Sequence, residues 1–208
     1  MKRFIFSIIT LCAVHSLQAQ FFTTAERNHI LQGDTSKMIR VTQNSIPAED
    51  KILNTVSADI SWQDTLLPVL KARMLYSMLD PNNEGVGIAA PQVGINRNVF
   101  WVQRFDKIGE PYEFYINPKI IWYSQLKQLG PEGCLSVADR RGDVMRSYAI
   151  QVAYTTLEGS YCTETIEGFT AVIFQHEMDH LNGTLFIERL SEQEQKVYKP
   201  AKNNLYQE

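Results

Sequence analysis

The run His176-Glu177-Met178-Asp179-His180 constrains this chain more than any other feature, because two imidazoles four residues apart share a face only on an α-helix. The apolar positions Phe169, Val172 and Ile173 lead in the same stripe to His176 and His180. This predicts a helix from about Phe169 to Leu181 with both histidines on its core-facing side. Asn182-Gly183 supplies the stop, with Gly183 as the left-handed cap. An HExxH helix brings its two rings about one turn apart, close enough to share one metal ion. It also rotates the glutamate by about 100°, so that Glu177 can act on water without binding the ion. Chance occurrence in a chain this long is on the order of one in a hundred. The competing reading, two hydrogen-bonded core histidines flanking a surface glutamate, requires a partner for each buried ring.

A catalytic zinc-type site takes three protein ligands and keeps one position open. The extended metallopeptidase pattern would put its third histidine where Phe186 stands. Glu188, Glu192 and Glu194 are available downstream, in a polar segment that leaves little chain for a second ligand helix. Cys134, in Pro131-Glu132-Gly133-Cys134-Leu135-Ser136, is the better candidate, since a thiolate with two neutral imidazoles suits Zn²⁺ or Fe²⁺. Cys162 lies in an alternating stretch and reads as a core or surface thiol. In an oxidising compartment a Cys134–Cys162 disulfide is the alternative use of the pair.

The rest of the chain fits one α+β domain. Its 208 residues are 44% hydrophobic and 21% charged, ordinary for a single buried core. Leu66, Leu70, Met74 and Met78 step by four, which predicts a helix over Leu66–Leu79 that starts near Pro68 and stops at Asp80-Pro81. Strands are expected at Asn98–Val102, Glu113–Ile116, Lys119–Tyr123, Ala149–Thr155 and Ser160–Thr165, the second and third separated by a turn at Asn117-Pro118. The order helix, strands, helix implies antiparallel sheets packed around a central metal-binding HExxH helix.

The N-terminus reads differently. Lys2 and Arg3 precede an apolar run, Phe4 to Val14, of about 11 residues, too short for the roughly 20 that span a bilayer. That layout predicts a signal peptide over 1–19 cut after Ala19. The product would be exported to the periplasm or secreted, with no stable membrane insertion after cleavage; a leader left unused would mean the cytoplasm. Residues 20–45 form an extension expected to wrap the surface or stay partly loose, 46–190 the catalytic domain, and 191–208 a polar tail. The formal net charge of −3 becomes more negative once Lys2 and Arg3 are lost, which argues against nucleic acid as a partner.

Three separated motifs resemble the peptide deformylases: Gly85-Val86-Gly87-Ile88-Ala89-Ala90-Pro91-Gln92 is similar to the family's GxGxAAxQ, Glu132 to Ser136 reads EGCLS, and Gln175 to Leu181 reads QHExDHL. The resemblance runs from about Leu66 to Leu190, and more thinly over Ile46 to Asp59. It implies one divalent ion per chain, Fe²⁺ with Zn²⁺ or Ni²⁺ able to replace it, held by Cys134, His176 and His180. It further implies removal of the formyl group from formyl-methionyl peptides or protein N-termini. Glu177 would move the proton, and the Gln92 side-chain amide and the Leu135 N–H would face the oxyanion. Gly85, Val86, Gly87 and Gly133 are the expected peptide-binding positions, the glycines letting an extended substrate come close. Ile88, Leu135, Phe169, Val172 and Ile173 are candidates for the methionine pocket, with ordinary core the other reading for each. Where the family commonly continues Val-Pro-Gly-x-Arg-Gly after EGCLS, this chain has Val137-Ala138-Asp139-Arg140-Arg141-Gly142, a change that bears on substrate preference. A metallopeptidase or other amidase using the same site, and a non-catalytic protein with a structural ion, are the rival readings; a structural ion would need neither Glu177 nor Gln92.

Overall fold

The computed structural model describes residues 19–208, so the leader expected over 1–19 lies outside them apart from Ala19. In chain order the elements are α1 (Thr24–Leu31), α2 (Pro47–Leu53), α3 (Leu67–Met78), β1 (Gly87–Ala89), a 3₁₀ turn (Ala90–Val93), β2 (Val99–Gln103), β3 (Tyr112–Tyr123), β4 (Leu126–Cys134), β5 (Val137–Ser147), β6 (Ala149–Thr155), β7 (Tyr161–Glu167), α4 (Gly168–Leu181), α5 (Phe186–Gln193), β8 (Lys199–Lys202) and β9 (Leu205–Gln207). One antiparallel sheet has the order β1-β2-β3-β6-β7 and the other β5-β4-β9-β8. Among the described residues no helix is long and apolar enough to cross a membrane.

Alternation along β2 decides how the first sheet is covered. Val99 and Trp101 join a cluster with Leu70, Met74 and Met78 of α3, while Phe100 and Val102 join Ala171, Phe174 and Leu181 of α4. The six β1 and β2 residues in these clusters, Ile88, Ala89, Val99, Phe100, Trp101 and Val102, are buried on one side or the other, so the sheet needs a helix on each face. Helix α4 thereby becomes central: nearly every residue from Thr170 to Leu181 is buried. Gly183 ends it in the left-handed conformation (φ 68°), and a Cβ there would lie 2.8 Å from the Asn54 backbone.

The second sheet is built on a long hairpin. β4 and β5 pair from Lys127↔Ser147 to Gly133↔Arg141, then the register shifts so that Cys134 faces Val137 and Leu135-Ser136 make the tight end. Asp139, in the bulged stretch, holds φ at 56°, a conformation that Asp tolerates better than most residues. Val137 and Val144 pack beneath Leu185 and Phe186 at the start of α5.

Several expectations change. The strands on either side of Asn117-Pro118 are one strand, β3, with a register shift there: Asn117 takes φ 49° and its side-chain amide bonds both the N–H and the C=O of Ile60. A bulge accommodates a proline that a regular strand interior would not. The extension is built into the core rather than wrapped over it, with Phe22, Ile30 and Ile39 buried against α3. The polar tail also has a structural place: β9 pairs with β4, and β8 with β9, as a hairpin turning at Asn203-Asn204. β8 is an exposed edge strand and β9 spans three residues with Leu205 and Tyr206 only half-buried, so no apolar alternation announces them.

Candidate active site

Helix α4 crosses behind the β4–β5 hairpin, and this crossing brings the three expected ligands together. One ligand atom each from Cys134, His176 and His180 lies within 4.8 Å of the others. The rings of His176 and His180 sit 5.0 Å apart between centroids, as positions one turn apart require. Cys134 Sγ lies 3.2 Å from His180 Nε2 and is approached by the Ser136 N–H at 3.4 Å.

The two histidines are oriented by different means. His176 Nδ1 lies 2.8 Å from Glu132 Oε2; a carboxylate accepts, so Nδ1 carries the proton and Nε2 is left toward Cys134. Glu132 also receives Arg146 Nε at 2.7 Å and Nη2 at 2.9 Å, and Arg146 Nη1 reaches Asp179 at 2.5 Å. Asp179 is bound in turn by Arg189 through two nitrogens. Burial alone would raise Glu132, but its bonds to Arg146 and His176 bring it down to about 2. Against the pull of burial, the thiol of Cys134 and the carboxylate of Glu132 hold His176 well above its ordinary value. Burial, then the charge on His176, pushes His180 well below. His180 Nδ1 is buried and has no hydrogen-bond partner among the described residues.

Glu177 stands beside the ligands, 3% exposed, with Oε2 unpartnered. A carboxylate buried in this way is not the surface residue of a structural pair: burial pushes it up to about 8, with nearby His176 opposing that shift. Gln92, on the 3₁₀ turn after β1, completes the ring. Its Oε1 accepts the Ala89 N–H at 2.8 Å, which fixes the amide so that Nε2 points at Cys134 Sγ, 3.6 Å away. The donor set therefore fits a divalent cation: a thiol and two imidazoles converge, and the buried acidic groups Glu132 and Glu177 favour positive charge between them.

Gln92, Glu132, Cys134, His176 and Glu177 line a cavity of about 870 Å³, whereas His180, 1% exposed, does not. β1, the end strand of its sheet, contributes Gly87 to the lining beside Glu177 and Ile173, and the exposed Asp139, Arg140 and Arg141 line the cavity as well.

The family model described as Polypeptide deformylase matches residues 43–196 of this chain. The chain belongs to the peptide deformylase family. A peptide deformylase of Thermotoga petrophila is 37% identical over 142 residues, covering 68% of this chain and 83% of that one. One from Synechocystis is 40% identical over 142 residues, covering 68% and 75%. The class I type b peptide deformylase of Acinetobacter baumannii, solved with Met-Ala-Ser bound, superposes with a TM-score of 0.66 at 39% identity over 74% of this chain and 99% of that one.

Within this deformylase fold, Gly85, Val86, Gly87, Gly133, Leu135, Phe169, Val172 and Ile173 all line the cavity, together with Gln92, Cys134, His176 and Glu177. Phe169 is half exposed at the mouth against Phe105, rather than core-facing. Ile88 does not line the cavity. It is fully buried in the α3 cluster, because alternation along β1 sends it to the opposite face from Gly87 and Ala89. The glycines also have a nearer reason than substrate approach. A Cβ on Gly87 would lie 2.4 Å from Glu177 Oε1 and 2.9 Å from Ile173, and one on Gly85 would lie 2.9 Å from Leu135 Cδ1. They make room for the site's own side chains. Cys134 and Cys162 are both free, so the disulfide alternative is not formed.

Sequence reasoning does not single out Glu132, Arg146 and Asp179 as a unit. A signal was available for two of them, since Glu132 lies one strand repeat before Cys134 and Asp179 one helical turn after His176. Arg146 reaches both only through the folding of the hairpin.

Proposed function

We propose that this chain removes the N-formyl group from formyl-methionyl peptides or protein N-termini, releasing formate and a free amine. The observation that carries the reading is the convergence of Cys134, His176 and His180 within 4.8 Å beside a peptide-sized cavity that Cys134, His176 and the buried Glu177 line. Cys134, His176 and His180 would hold one divalent ion, Fe²⁺ by family resemblance with Zn²⁺ or Ni²⁺ able to replace it. Such an ion supplies Lewis-acid chemistry, acidifying water and offsetting negative charge on the formyl oxygen.

The chain's own groups do the rest. Glu177 accepts the proton of the attacking water and later delivers it to the departing amine. A cation held by Cys134, His176 and His180 would favour the ionised form of Glu177, opposing the effect of burial. The Gln92 Nε2–H and the Leu135 N–H face the oxygen that becomes negative as the carbonyl turns tetrahedral. Gly85, Val86 and Gly87 offer an unpaired strand edge to the peptide backbone, and Leu135, Val172 and Ile173 an apolar wall to the methionine side chain. Export through residues 1–19 belongs to the same proposal and rests on their leader layout; a cut after Ala19 would leave the bridge between Gln20 and Ile60 intact.

Matched peptides separate this from an amidase of other specificity. Formyl-Met-Ala-Ser should yield formate and Met-Ala-Ser, while Met-Ala-Ser and its amide stay whole. Cleavage of an internal peptide bond without formate would overturn the proposal in favour of a peptidase. Mass measurement of the endogenous protein tests export: a chain beginning at Gln20 supports it, and a full-length cytosolic chain contradicts it.

A further inference from the structure

Three consecutive carbonyls of the turn that carries Gln92 are each held by the N-terminal segment. Pro91 O accepts Thr42 Oγ1 at 3.2 Å, Gln92 O accepts the Thr42 N–H at 2.8 Å, and Val93 O lies 2.8 Å from His29 Nε2. A carbonyl only accepts, so His29 Nε2 carries the proton. The His29 ring also closes over Gly94, where a Cβ would stand 3.0 Å from Nε2.

The segment that brings these groups is itself tied down. On α1, Glu26 receives Arg97 Nε at 2.6 Å and Nη2 at 2.8 Å. Arg73, buried on α3, donates at 2.6 to 3.3 Å to the carbonyls of Ile30 and Gln32 at the C-terminal end of α1, where carbonyls carry partial negative charge, and to those of Lys37 and Met38 beyond it. The strap then continues past the second donor. Gln43 Nε2 donates to Leu135 O at 3.0 Å and the Asn44 N–H to Ser136 O at 3.0 Å. Thr42, Gln43 and Asn44 thus join the Gln92 turn to the Leu135 turn directly. His29 and Thr42 lie upstream of the segment that the family model matches.

We propose that the segment from Gln20 to Asn44 is a positioning clamp for the two oxyanion donors, with His29 acting through Gln92 and Gln43 acting through Leu135. Donors of this kind work only if they are aimed before the reaction, and displacement by about 1 Å costs on the order of 100-fold. Loss of one of several supports should cost less, about tenfold. What the donors do rests on the deformylase reading; the contacts themselves do not.

The test uses the full chain loaded with Ni²⁺, comparing His29→Ala, His29→Gln and Gln43→Leu, each alone and with Gln92→Ala, for formate release from formyl-Met-Ala-Ser and for metal content. His29→Ala should lower kcat about tenfold with KM and metal content held, and His29→Gln, which keeps an N–H in reach, should recover most of it. In the Gln92→Ala background His29→Ala should cost nothing further, whereas Gln43→Leu should keep its own loss. Equal losses from His29→Ala in both backgrounds, or metal content falling in step with kcat, would overturn the clamp. A second readout needs neither metal nor substrate: the Ala89 N–H is held by Gln92 Oε1, so its hydrogen exchange should quicken in His29→Ala and in the milder Thr42→Val. Unchanged Ala89 exchange in folded Thr42→Val and His29→Ala would also overturn it. If the wild type releases no formate, the deformylase reading fails and the exchange result alone decides the clamp.

Discussion

The two long faces of α4 are held in different ways. Toward the five-stranded sheet, Ala171, Phe174 and Leu181 are held by burial, with Phe174 edge-on to Phe100 at 5.4 Å and to Tyr115 at 4.8 Å. Toward the hairpin, contacts are directional. Gln175 exchanges two hydrogen bonds with the Ser147 backbone, His176 meets Glu132, Asp179 meets Arg146, and His180 meets Cys134. Burial is non-directional and sets where the helix lies; the bonds on the other face set its rotation, and with it where the two imidazoles point. One face therefore governs stability and the other governs chemistry.

Substitutions can break that division, and Glu177, at the border between the faces, gives the largest effect. Glu177→Ala should lower formate release about 100- to 10,000-fold while unfolding and metal content stay near wild type. Phe174→Ala should cost about 3–5 kcal/mol in urea unfolding, yet leave activity per folded molecule largely intact. A loss of metal affinity in Phe174→Ala matching its loss of stability would erase the distinction. Glu132→Gln should do the reverse, weakening metal binding roughly 10- to 100-fold in a chelator titration because the ring of His176 loses its charged partner. Gly87→Ala should be smaller, about tenfold in kcat, since the new methyl displaces Glu177 without touching a ligand.

The same division explains what could be read from the sequence. The metal-bearing helix was legible because periodicity, HExxH and the Asn182-Gly183 stop are all local. Cys134 and Gln92 were legible through motifs whose residues sit close together in the chain. Local pattern does not reveal the Glu132–Arg146–Asp179–Arg189 network, because Arg146 meets its partners only after β4 and β5 pair. It does not reveal β8 and β9 either, since an exposed edge strand and a three-residue, half-buried partner carry no apolar alternation. Ile88 shows the opposite error: its place inside a functional motif suggested a pocket wall, but strand alternation turns it into the core. Gly87 was recognised as a position without room for a side chain, although what occupies that room is Glu177.

Formate release measured beside metal content, on wild type, Cys134→Ser and Glu177→Ala prepared anaerobically with Fe²⁺, tests the central claim most directly. If the claim holds, the wild type carries one ion per chain and releases formate from formyl-Met-Ala-Ser, Cys134→Ser loses both, and Glu177→Ala loses formate alone. A folded wild type that holds its ion and releases no formate, or one whose activity survives Glu177→Ala, would contradict it.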